Sequence, residues 1–472
     1  MMASRQGADV GSGERRAIFR SDILATYCLC AIVALAPFPF GSIDLRIIAV
    51  WVLLLSAILA LASLPAFNAR DLVFLSGLAG VALAWAFVVA EQLSQTPVFA
   101  HLIPSIWKET SDVIGHELAG VISVARNQPY FSAGSQLACV LSLACGFLVG
   151  RNRHAARLLM MAFAGSALIY SIYGILGFIF WPNYLLWHER FNYLNSLKAT
   201  FINPNVAAVY FGAATITWVL IFAQAIKADL AAHPTEWRHL IAALVRNPSL
   251  RTILCFVALF TVLAATLMTG SRAGSILSLL AISGALATFY RRELGPRGLF
   301  IGFPLSAACA IFVALQIFAG RLNQRFRFEG LFDVGRWNAY LSTIEIIKDH
   351  PWLGSGLGTF RWVFPAYRSG QIPAYGTWEQ AHNTTLEIAS EMGIPFTILV
   401  IACWLAILVV TGRGMVARKR DEAMPIAAFW IALLAVVHSQ VDFSLQIPGF
   451  SLAVFPLVGM GLAQSVSGRD RL

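Results

Sequence analysis

Long runs of apolar residues, separated by short polar segments, recur along almost the whole chain. A helix needs about 20 mostly apolar residues to cross the hydrocarbon core of a bilayer. Twelve runs are close to this length: residues 23–43, 47–66, 72–90, 132–150, 158–181, 206–226, 252–269, 273–290, 299–319, 394–411, 425–444 and 449–466. The pattern therefore predicts an all-α polytopic membrane protein with about 12 transmembrane helices.

Residues 91–131 form a polar interruption with a helical periodicity of its own. Apolar side chains such as Ile103, Ile106, Trp107 and Val113 recur three or four positions apart, which is the spacing of one helix face. An amphipathic helix of this kind lies in the plane of a membrane interface. We predict that this segment lies flat on the outer surface.

Residues 321–382 form a larger interruption that is both charged and rich in aromatic residues. Residues 334–349 are predicted to form one helix, which ends at His350-Pro351 because proline cannot continue it. The glycine-rich stretch 354–358 is predicted to be a packing turn. A phosphate-binding P-loop is disfavoured, because no Lys-Ser or Lys-Thr follows the glycines.

Composition supports a membrane protein and narrows its chemistry. Hydrophobic residues make up 58% of the chain and charged residues 12%, whereas soluble domains carry about 25% charged residues. The net charge of +10 suits contact with anionic lipid headgroups, and we expect no nucleic-acid partner. All seven cysteines lie in apolar runs, so no disulfide is predicted. The outer loops lack Asp-x-Asp and His-x-His pairs, so neither a metal nor another cofactor is expected.

The distribution of Lys and Arg predicts the orientation. With the N-terminus inside, 21 of the 34 cations fall in inner segments and 13 in outer segments, as the positive-inside rule requires. Seven of the outer cations lie in the single segment 321–382. Long segments are translocated regardless of charge, so this cluster indicates a need for cations outside, as an anionic ligand in the outer leaflet would impose.

Two arginines are candidates for holding such an anion. Arg272 lies in a turn of small residues between two apolar runs, and Arg336 lies at the start of the predicted loop helix. A guanidinium group can bind a diphosphate with two parallel hydrogen bonds. The alternatives are a snorkelling arginine at a helix end for Arg272 and a solvated charge for Arg336.

A candidate base follows the loop. His382 can accept a proton near neutral pH, although a purely structural hydrogen bond is the alternative. It precedes Asn383, and Glu387 and Glu391 lie one helical turn apart further on. Either carboxylate can orient the histidine or pair with an arginine.

Two further pairs of polar residues lie near the outer surface. His438 and Asp442 are spaced i, i+4 near the end of run 425–444, and ionisable groups at that depth are functional candidates, with a buried structural pair as the alternative. Asn203 and Asn205 flank Pro204 at the start of run 206–226. They can cap this helix or hydrogen-bond a sugar, and capping is favoured.

In this order, the motifs resemble those of the O-antigen ligase/O-antigen polymerase family of bacterial envelope glycosyltransferases. The resemblance covers about residues 200–445. It is carried by the late outer loop, Asn203-Pro204-Asn205, Ser271-Arg272-Ala273-Gly274, Arg336-Trp337, Pro351 to Gly358, Ala381-His382-Asn383, Gly393 and Val437 to Phe443.

The resemblance implies a C-type membrane glycosyltransferase architecture in the bacterial inner membrane, with the active site facing the periplasm. It implies an undecaprenyl diphosphate-linked glycan donor and an acceptor that is either lipid A–core or a second lipid-linked glycan. Arg272 and Arg336 would hold the diphosphate, and His382 would contact or deprotonate the acceptor hydroxyl. Ligases often carry a second glycine where this chain has Phe396, so the resemblance leaves ligase and polymerase open.

On this basis the chain divides into three predicted regions. Residues 1–200 are N-terminal transmembrane helices with the amphipathic segment, 201–445 form the catalytic region, and 446–472 hold the last helix and a cytoplasmic tail. The rival interpretation from another class is a 12-helix secondary transporter or polysaccharide exporter. Transporters typically show internal repeats and polar sites at mid-membrane, and the sequence shows no repeat.

Overall fold

The computed structural model describes residues 22–61, 69–232, 248–295, 334–372, 376–418 and 421–466, with the single positions 302, 304 and 308. Apart from these three positions, the predicted span 299–319 lies outside the described residues, as does the first part of the outer loop, with Arg321, Arg325 and Arg327.

The described chain is almost entirely helical, which confirms the predicted fold class. Its helices are α1 (Asp22–Leu35), α2 (Leu45–Leu61), α3 (Ala69–Leu93), α4 (Ile106–Ile114), α5 (Gln128–Gly150), α6 (Arg153–Phe180), α7 (Pro204–Ala232), α8 (Leu250–Met268), α9 (Arg272–Phe289), α10 (Val334–Asp349), α11 (Phe360–Tyr367), α12 (Thr384–Met392), α13 (Ile394–Ala417), α14 (Ala423–His438) and α15 (Pro448–Val466). A two-stranded antiparallel hairpin, β1 (Tyr184–Leu185) and β2 (His188–Glu189), follows α6.

Eleven of the twelve predicted spans correspond to apolar helices of the described chain. Eight helices are long and apolar enough to cross a membrane, and α1, α2 and α14 are shorter apolar helices. Two predicted boundaries are wrong. Helix α1 ends at Leu35 rather than at residue 43, because Pro37 and Pro39 cannot continue it.

Helix α14 ends at His438, not at residue 444. The side chains of Ser439 and Gln440 both donate to the carbonyl of Val436, at 2.7 and 3.1 Å. Such bonds compete with the helical hydrogen bonds. Asp442 consequently lies in the turn after the helix rather than on it.

Helices α7 and α15 form the centre of the bundle. In the apolar parts of these two helices, 94% and 83% of the residues are buried, whereas in those of α3 and α13 only 11% and 17% are buried. The central helices approach their neighbours closely, because small residues lie at the contacts. A Cβ atom on Gly146 of α5 would overlap the backbone of Pro456 in α15.

Ion pairs join the loops that the charge rule places on the inner side. Arg151 pairs with Asp71 (Nη2–Oδ2 3.0 Å), and Lys227 pairs with Glu293 (Nζ–Oε1 2.8 Å). These contacts agree with the predicted alternation of the helices. Which face is cytoplasmic stays a prediction.

The outer face carries α4, the β-hairpin and α10 to α12. Helix α10 has the predicted bounds, but its apolar stripe of Trp337, Leu341 and Ile344 is exposed rather than packed on the protein. Between α3 and α5, regular helix is confined to α4 and a single turn, Ala100–Leu102. Ile106 and Val113 of α4 are exposed, so the segment has the apolar surface that an interfacial helix needs, although its depth in a membrane is untested.

The glycine-rich stretch is a packing turn, as predicted. Gly354, Gly356 and Gly358 all adopt positive φ, which other residues rarely adopt. The turn is fastened by Glu391, whose carboxylate accepts from the backbone N–H groups of Gly358 (2.8 Å) and Phe360 (2.9 Å). The loop is thereby fixed to α12, which begins just after His382.

Candidate functional site

Asp442 lies at the centre of the outer-face cluster. Its side chain is 1% exposed, and it accepts hydrogen bonds from the amide of Asn205 and from the backbone N–H of Phe443. Arg336 and His382 approach the same carboxylate. A buried carboxylate needs partners of this kind, because an unpaired buried charge is costly.

Arg336 reaches this cluster from the first turn of α10. Its Nη1 donates to the carbonyl of Val441 at 2.8 Å, and its Nη2 lies 3.7 Å from Oδ2 of Asp442. Its side chain is 29% exposed. One side of the guanidinium group is therefore held by the protein, and part of the group remains accessible from outside.

His382 approaches the other carboxylate oxygen of Asp442. Its Nδ1 is 4.0 Å from Oδ1 of Asp442, which is ion-pair range rather than a hydrogen bond, and its side chain is 24% exposed. The ring is flanked edge-on by Trp378 and Phe443, with centroids 5.5 and 4.9 Å away. The imidazole is thus positioned in an aromatic slot, with a carboxylate on one side.

The backbone of His382 is strained. Its φ is 55°, a left-handed conformation that costs a non-glycine residue about 1–3 kcal/mol. Tyr340 stabilises it by donating from its hydroxyl to the carbonyl of His382 at 3.0 Å. Strain held in place by a neighbouring helix is common at functional sites.

Asn383 and Asn203 both act as helix caps. Asn383 accepts from the backbone N–H of Leu386 (3.0 Å) and donates to the carbonyl of Gln440 (2.9 Å). Asn203 accepts from the backbone N–H of Asn205 (2.7 Å) at the start of α7. The capping interpretation therefore fits both residues, whereas Asn205 itself reaches the Asp442 carboxylate.

Arg272 is the first residue of α9. Ser271 caps this helix by accepting from the backbone N–H of Gly274 (3.2 Å). Gly274 faces α7, where an added Cβ would lie 2.6 Å from the Cβ of Ala208, one helical turn beyond Asn205. The α9 N-terminus and the Asn205–Asp442 contact therefore lie at the same end of α7.

Glu387 and Glu391 are structural in this arrangement. Glu387 accepts from the backbone N–H of Ala381 at 2.6 Å, and Glu391 fastens the glycine-rich turn. Burial raises the pKa of Glu391 to about 7, against the effect of its two N–H donors. Burial and the neighbouring Glu391 raise the pKa of Glu387 well above its ordinary value. The carboxylate that faces His382 is that of Asp442 instead.

His438 is buried directly beneath the cluster. It is 1% exposed, and its Nδ1 lies 2.8 Å from the hydroxyl of Ser444. Its backbone carbonyl accepts from the N–H of Asp442 (3.0 Å). Among the groups the structure describes, none hydrogen-bonds its Nε2, so His438 supports the turn that carries Asp442.

The structure thus brings Arg336, His382, Asn205 and Asp442 together on the outer face. Tyr340, Trp378 and Phe443 complete the surroundings of His382. None of the three was predicted to contact His382, because aromatic residues are frequent in this loop and Tyr340 and Phe443 lie far from His382 in the chain. Within the part of the chain that the structure describes, no group of three or more His, Cys, Asp or Glu residues could hold a metal ion. The arrangement offers fixed cations and a partly exposed imidazole to a ligand.

Comparison with known proteins supports one family. The O-antigen ligase family model matches residues 257–401, a stretch that contains Arg272, Arg336 and His382 but ends before Asp442. No curated protein matches the chain. The match covers less than half of the chain and supports an O-antigen ligase/polymerase family assignment, and eight helices of the described chain are long and apolar enough to cross a membrane.

Proposed function

We propose that the protein is an inner-membrane glycosyltransferase that moves a glycan from undecaprenyl diphosphate to an acceptor hydroxyl in the periplasm. The observation that carries this proposal is the grouping of Arg336 and His382 around the buried Asp442, on the face opposite the inner ion pairs. The family match and the orientation predicted from charge support the donor and the location.

The arginines act on the leaving group in this proposal. A diphosphate linked to a sugar is already activated, so transfer requires no nucleotide. As the bond from the anomeric carbon to the diphosphate oxygen breaks, negative charge develops on that oxygen. Arg336 and Arg272 stabilise this charge, because fixed cations in a partly dry site need no rearrangement at the moment of reaction.

His382 acts on the acceptor. The acceptor hydroxyl attacks the anomeric carbon from the face opposite the diphosphate, which inverts the configuration, and its proton passes to Nε2 of His382. Asp442, 4.0 Å from Nδ1, stabilises the imidazolium that forms. The orienting role that the sequence left to Glu387 or Glu391 thus falls to Asp442. The mechanism needs no metal ion.

Two acceptors fit the proposal. Transfer to lipid A–core would make the protein a ligase, and transfer to a second lipid-linked glycan would make it a polymerase. The glycan profile of a deletion strain separates them. Single-repeat products in the strain indicate a polymerase, whereas full-length chains left on the carrier lipid indicate a ligase.

The activity itself is tested with purified protein in sealed proteoliposomes. Wild-type protein, the strain's own lipid-linked glycan and either acceptor should give a new glycosidic bond and free undecaprenyl diphosphate, and EDTA should leave the rate unchanged. Passage of the glycan across the membrane without bond formation would favour the transporter or exporter. Loss of transfer in EDTA, with recovery in Mg²⁺ or Mn²⁺, would contradict the metal-free mechanism.

A further inference from the structure

A second cleft opens on the outer face, between the turn Ala100–Leu102 and the end of α10. Its volume is about 200 Å³, below the roughly 300 Å³ at which pockets for drug-sized ligands begin. Its lining includes His101, Ile103, Asp349, His350 and Trp352. A cleft of this size accommodates one small ring rather than an extended ligand.

The rim of this cleft combines an aromatic ring with hydrogen-bonding groups. Trp352 is 63% exposed. The Asp349 carboxylate is also exposed and accepts a hydrogen bond from the Tyr367 hydroxyl (2.6 Å). Burial lowers the pKa of His350, so this imidazole is neutral and offers one donor and one acceptor. The wall behind them is apolar.

The backbone around the cleft is held in place from beneath. Gln92, which is fully buried, donates to the carbonyl of Leu353 (2.6 Å) and accepts from the backbone N–H of Leu357 (2.9 Å). The backbone N–H of Ile394 donates to the carbonyl of Pro351 (2.8 Å). The cleft is therefore preformed, and binding there requires little ordering of the protein.

We propose that this cleft is a binding subsite for one sugar unit of a glycan. The exposed indole ring of Trp352 offers an apolar face to the C–H groups of a pyranose ring. Asp349, His350 and His101 offer acceptors and donors to its hydroxyl groups. The carboxylate at the rim favours a neutral or amino sugar over an acidic one.

The position of the cleft identifies which sugar unit it holds. Arg336 and Asp349 lie 13 residues apart on helix α10, which corresponds to roughly 20 Å at about 1.5 Å per residue. Arg336 lies in its first turn, and Asp349 ends it. The subsite, which rests on the function proposed above, therefore holds a unit several sugars away from the one bonded to the diphosphate.

A remote subsite makes the affinity for the donor depend on the length of its glycan. A donor whose glycan is shorter than this distance cannot reach from Arg336 to Asp349, whereas a donor with several repeat units can occupy both sites. One charged hydrogen bond and one ring contact together correspond to a gain in affinity of about tenfold or more. The subsite therefore selects longer glycans.

The test uses full-length protein in nanodiscs and lipid-linked glycan from the producing strain, fractionated into single-repeat and multiple-repeat donors. Wild-type protein should bind the multiple-repeat donor about tenfold more tightly than the single-repeat donor. Trp352→Ala and Asp349→Asn should lose this difference, while their Kd for the single-repeat donor stays unchanged. Trp362→Ala, which removes an exposed tryptophan outside the cleft, and Tyr367→Phe, which removes only the bond to Asp349, should retain it.

Two outcomes would overturn the subsite: no length dependence in wild-type protein, or full length dependence in both cleft variants. If Tyr367→Phe loses as much length dependence as Asp349→Asn, Asp349 acts by supporting the loop rather than by binding the sugar. A separate measurement uses the multiple-repeat oligosaccharide after mild acid has removed its carrier lipid. Its binding to the protein is then measured directly. If wild-type protein binds this free glycan through Trp352 yet transfers neither donor, the proposed transfer fails and the subsite stands.

Discussion

At the scale of single residues, Asp442 organises the candidate site. Among the described residues, its carboxylate lies within hydrogen-bond or ion-pair range of Asn205, Arg336 and His382 together. Each of these three comes from a different part of the chain. Arg336 and His382, which are proposed to act on the substrate, are therefore positioned by Asp442. Asp442 itself need not contact the substrate.

Asp442→Asn should abolish most transfer while the protein still inserts. Asparagine lacks the negative charge that stabilises the His382 imidazolium and holds Arg336, so a loss of about 100-fold in rate is expected, which corresponds to about 2.7 kcal/mol in activation free energy. Asp421→Asn is the matched control, because Asp421 is paired with Arg153 (3.8 Å) and Arg157 on the inner face. Rates measured in nanodiscs that remain near wild type for Asp442→Asn would remove this residue from the site.

Arg336→Ala and Arg272→Ala should each nearly abolish transfer, and lysine should restore little at either position. Lysine retains the charge but loses the planar pair of donors that a diphosphate accepts. Arg413→Ala, in a segment predicted to be cytoplasmic, provides the control. Normal product formation by either alanine variant would exclude that arginine from diphosphate binding.

The residue types of the site were predicted from the sequence more successfully than the contacts between them. Arg336 and His382 stood out because charged residues are rare in this chain and were placed outside by the charge rule. Asp442 was identified as a candidate site residue, but the residues that contact it were not. The sequence position of a carboxylate in a turn does not indicate which distant residues lie near it. Glu387 and Glu391 looked like partners of His382 through proximity in sequence, but their side chains turn toward backbone N–H groups.

At the scale of elements, α12 connects the site to the glycine-rich turn. Asn383 caps its N-terminus, while Glu391 near its C-terminus fastens the turn before α11. A Cβ on Gly354 would overlap the backbone of Glu391. The turn could be predicted from its glycines, but the buried carboxylate that holds it could not, because its N–H donors lie more than thirty residues away in sequence.

The buried carboxyl groups of α12 should make stability depend on pH. The pKa of Glu391 rises from 4.5 to about 7 on burial, so the folded protein binds this proton more tightly than the unfolded chain does. Stability should therefore be greatest at or below pH 4.5 and fall as pH rises to about 7. Glu387 contributes in the same direction.

The measurement is the apparent unfolding temperature in detergent between pH 5 and pH 8. Wild-type protein should lose several degrees across this range, and Glu391→Gln should flatten the curve while lowering stability at pH 5. Glu109→Gln, at an exposed position on α4, should keep the wild-type slope. A wild-type curve that is flat or rises with pH would contradict the buried state of these groups.

At the scale of the whole molecule, apolar runs predicted the helices well because the bilayer imposes their length. The errors were in the predicted ends of helices. Helix α1 ends before two prolines, and α14 ends where the side chains of Ser439 and Gln440 hydrogen-bond back to the helix. The packing order of the helices was not predictable from the apolar runs, since central and peripheral helices alike are long and apolar enough to cross a membrane. Only the structure shows that α7 and α15 are central.

The orientation can be tested without any substrate. Reporter fusions at Ala155, Thr235, Leu294 and Ala417 should give cytoplasmic signals, and fusions at Gly115, Asn192 and His350 should give periplasmic ones. The expectation follows from the cation counts of the two sets of loops. A cytoplasmic signal at His350 would place the candidate site on the wrong side for a periplasmic donor.

The most direct test of the account measures donor binding and glycan transfer side by side for His382→Ala. If the arginines hold the diphosphate and His382 serves the acceptor, this variant should bind the lipid-linked donor with near wild-type affinity and lose transfer by about 100-fold or more. His382→Gln should regain some activity only if positioning, rather than proton transfer, is the role. Full transfer by His382→Ala would contradict the account, and joint loss of donor binding and transfer would place His382 with the diphosphate instead.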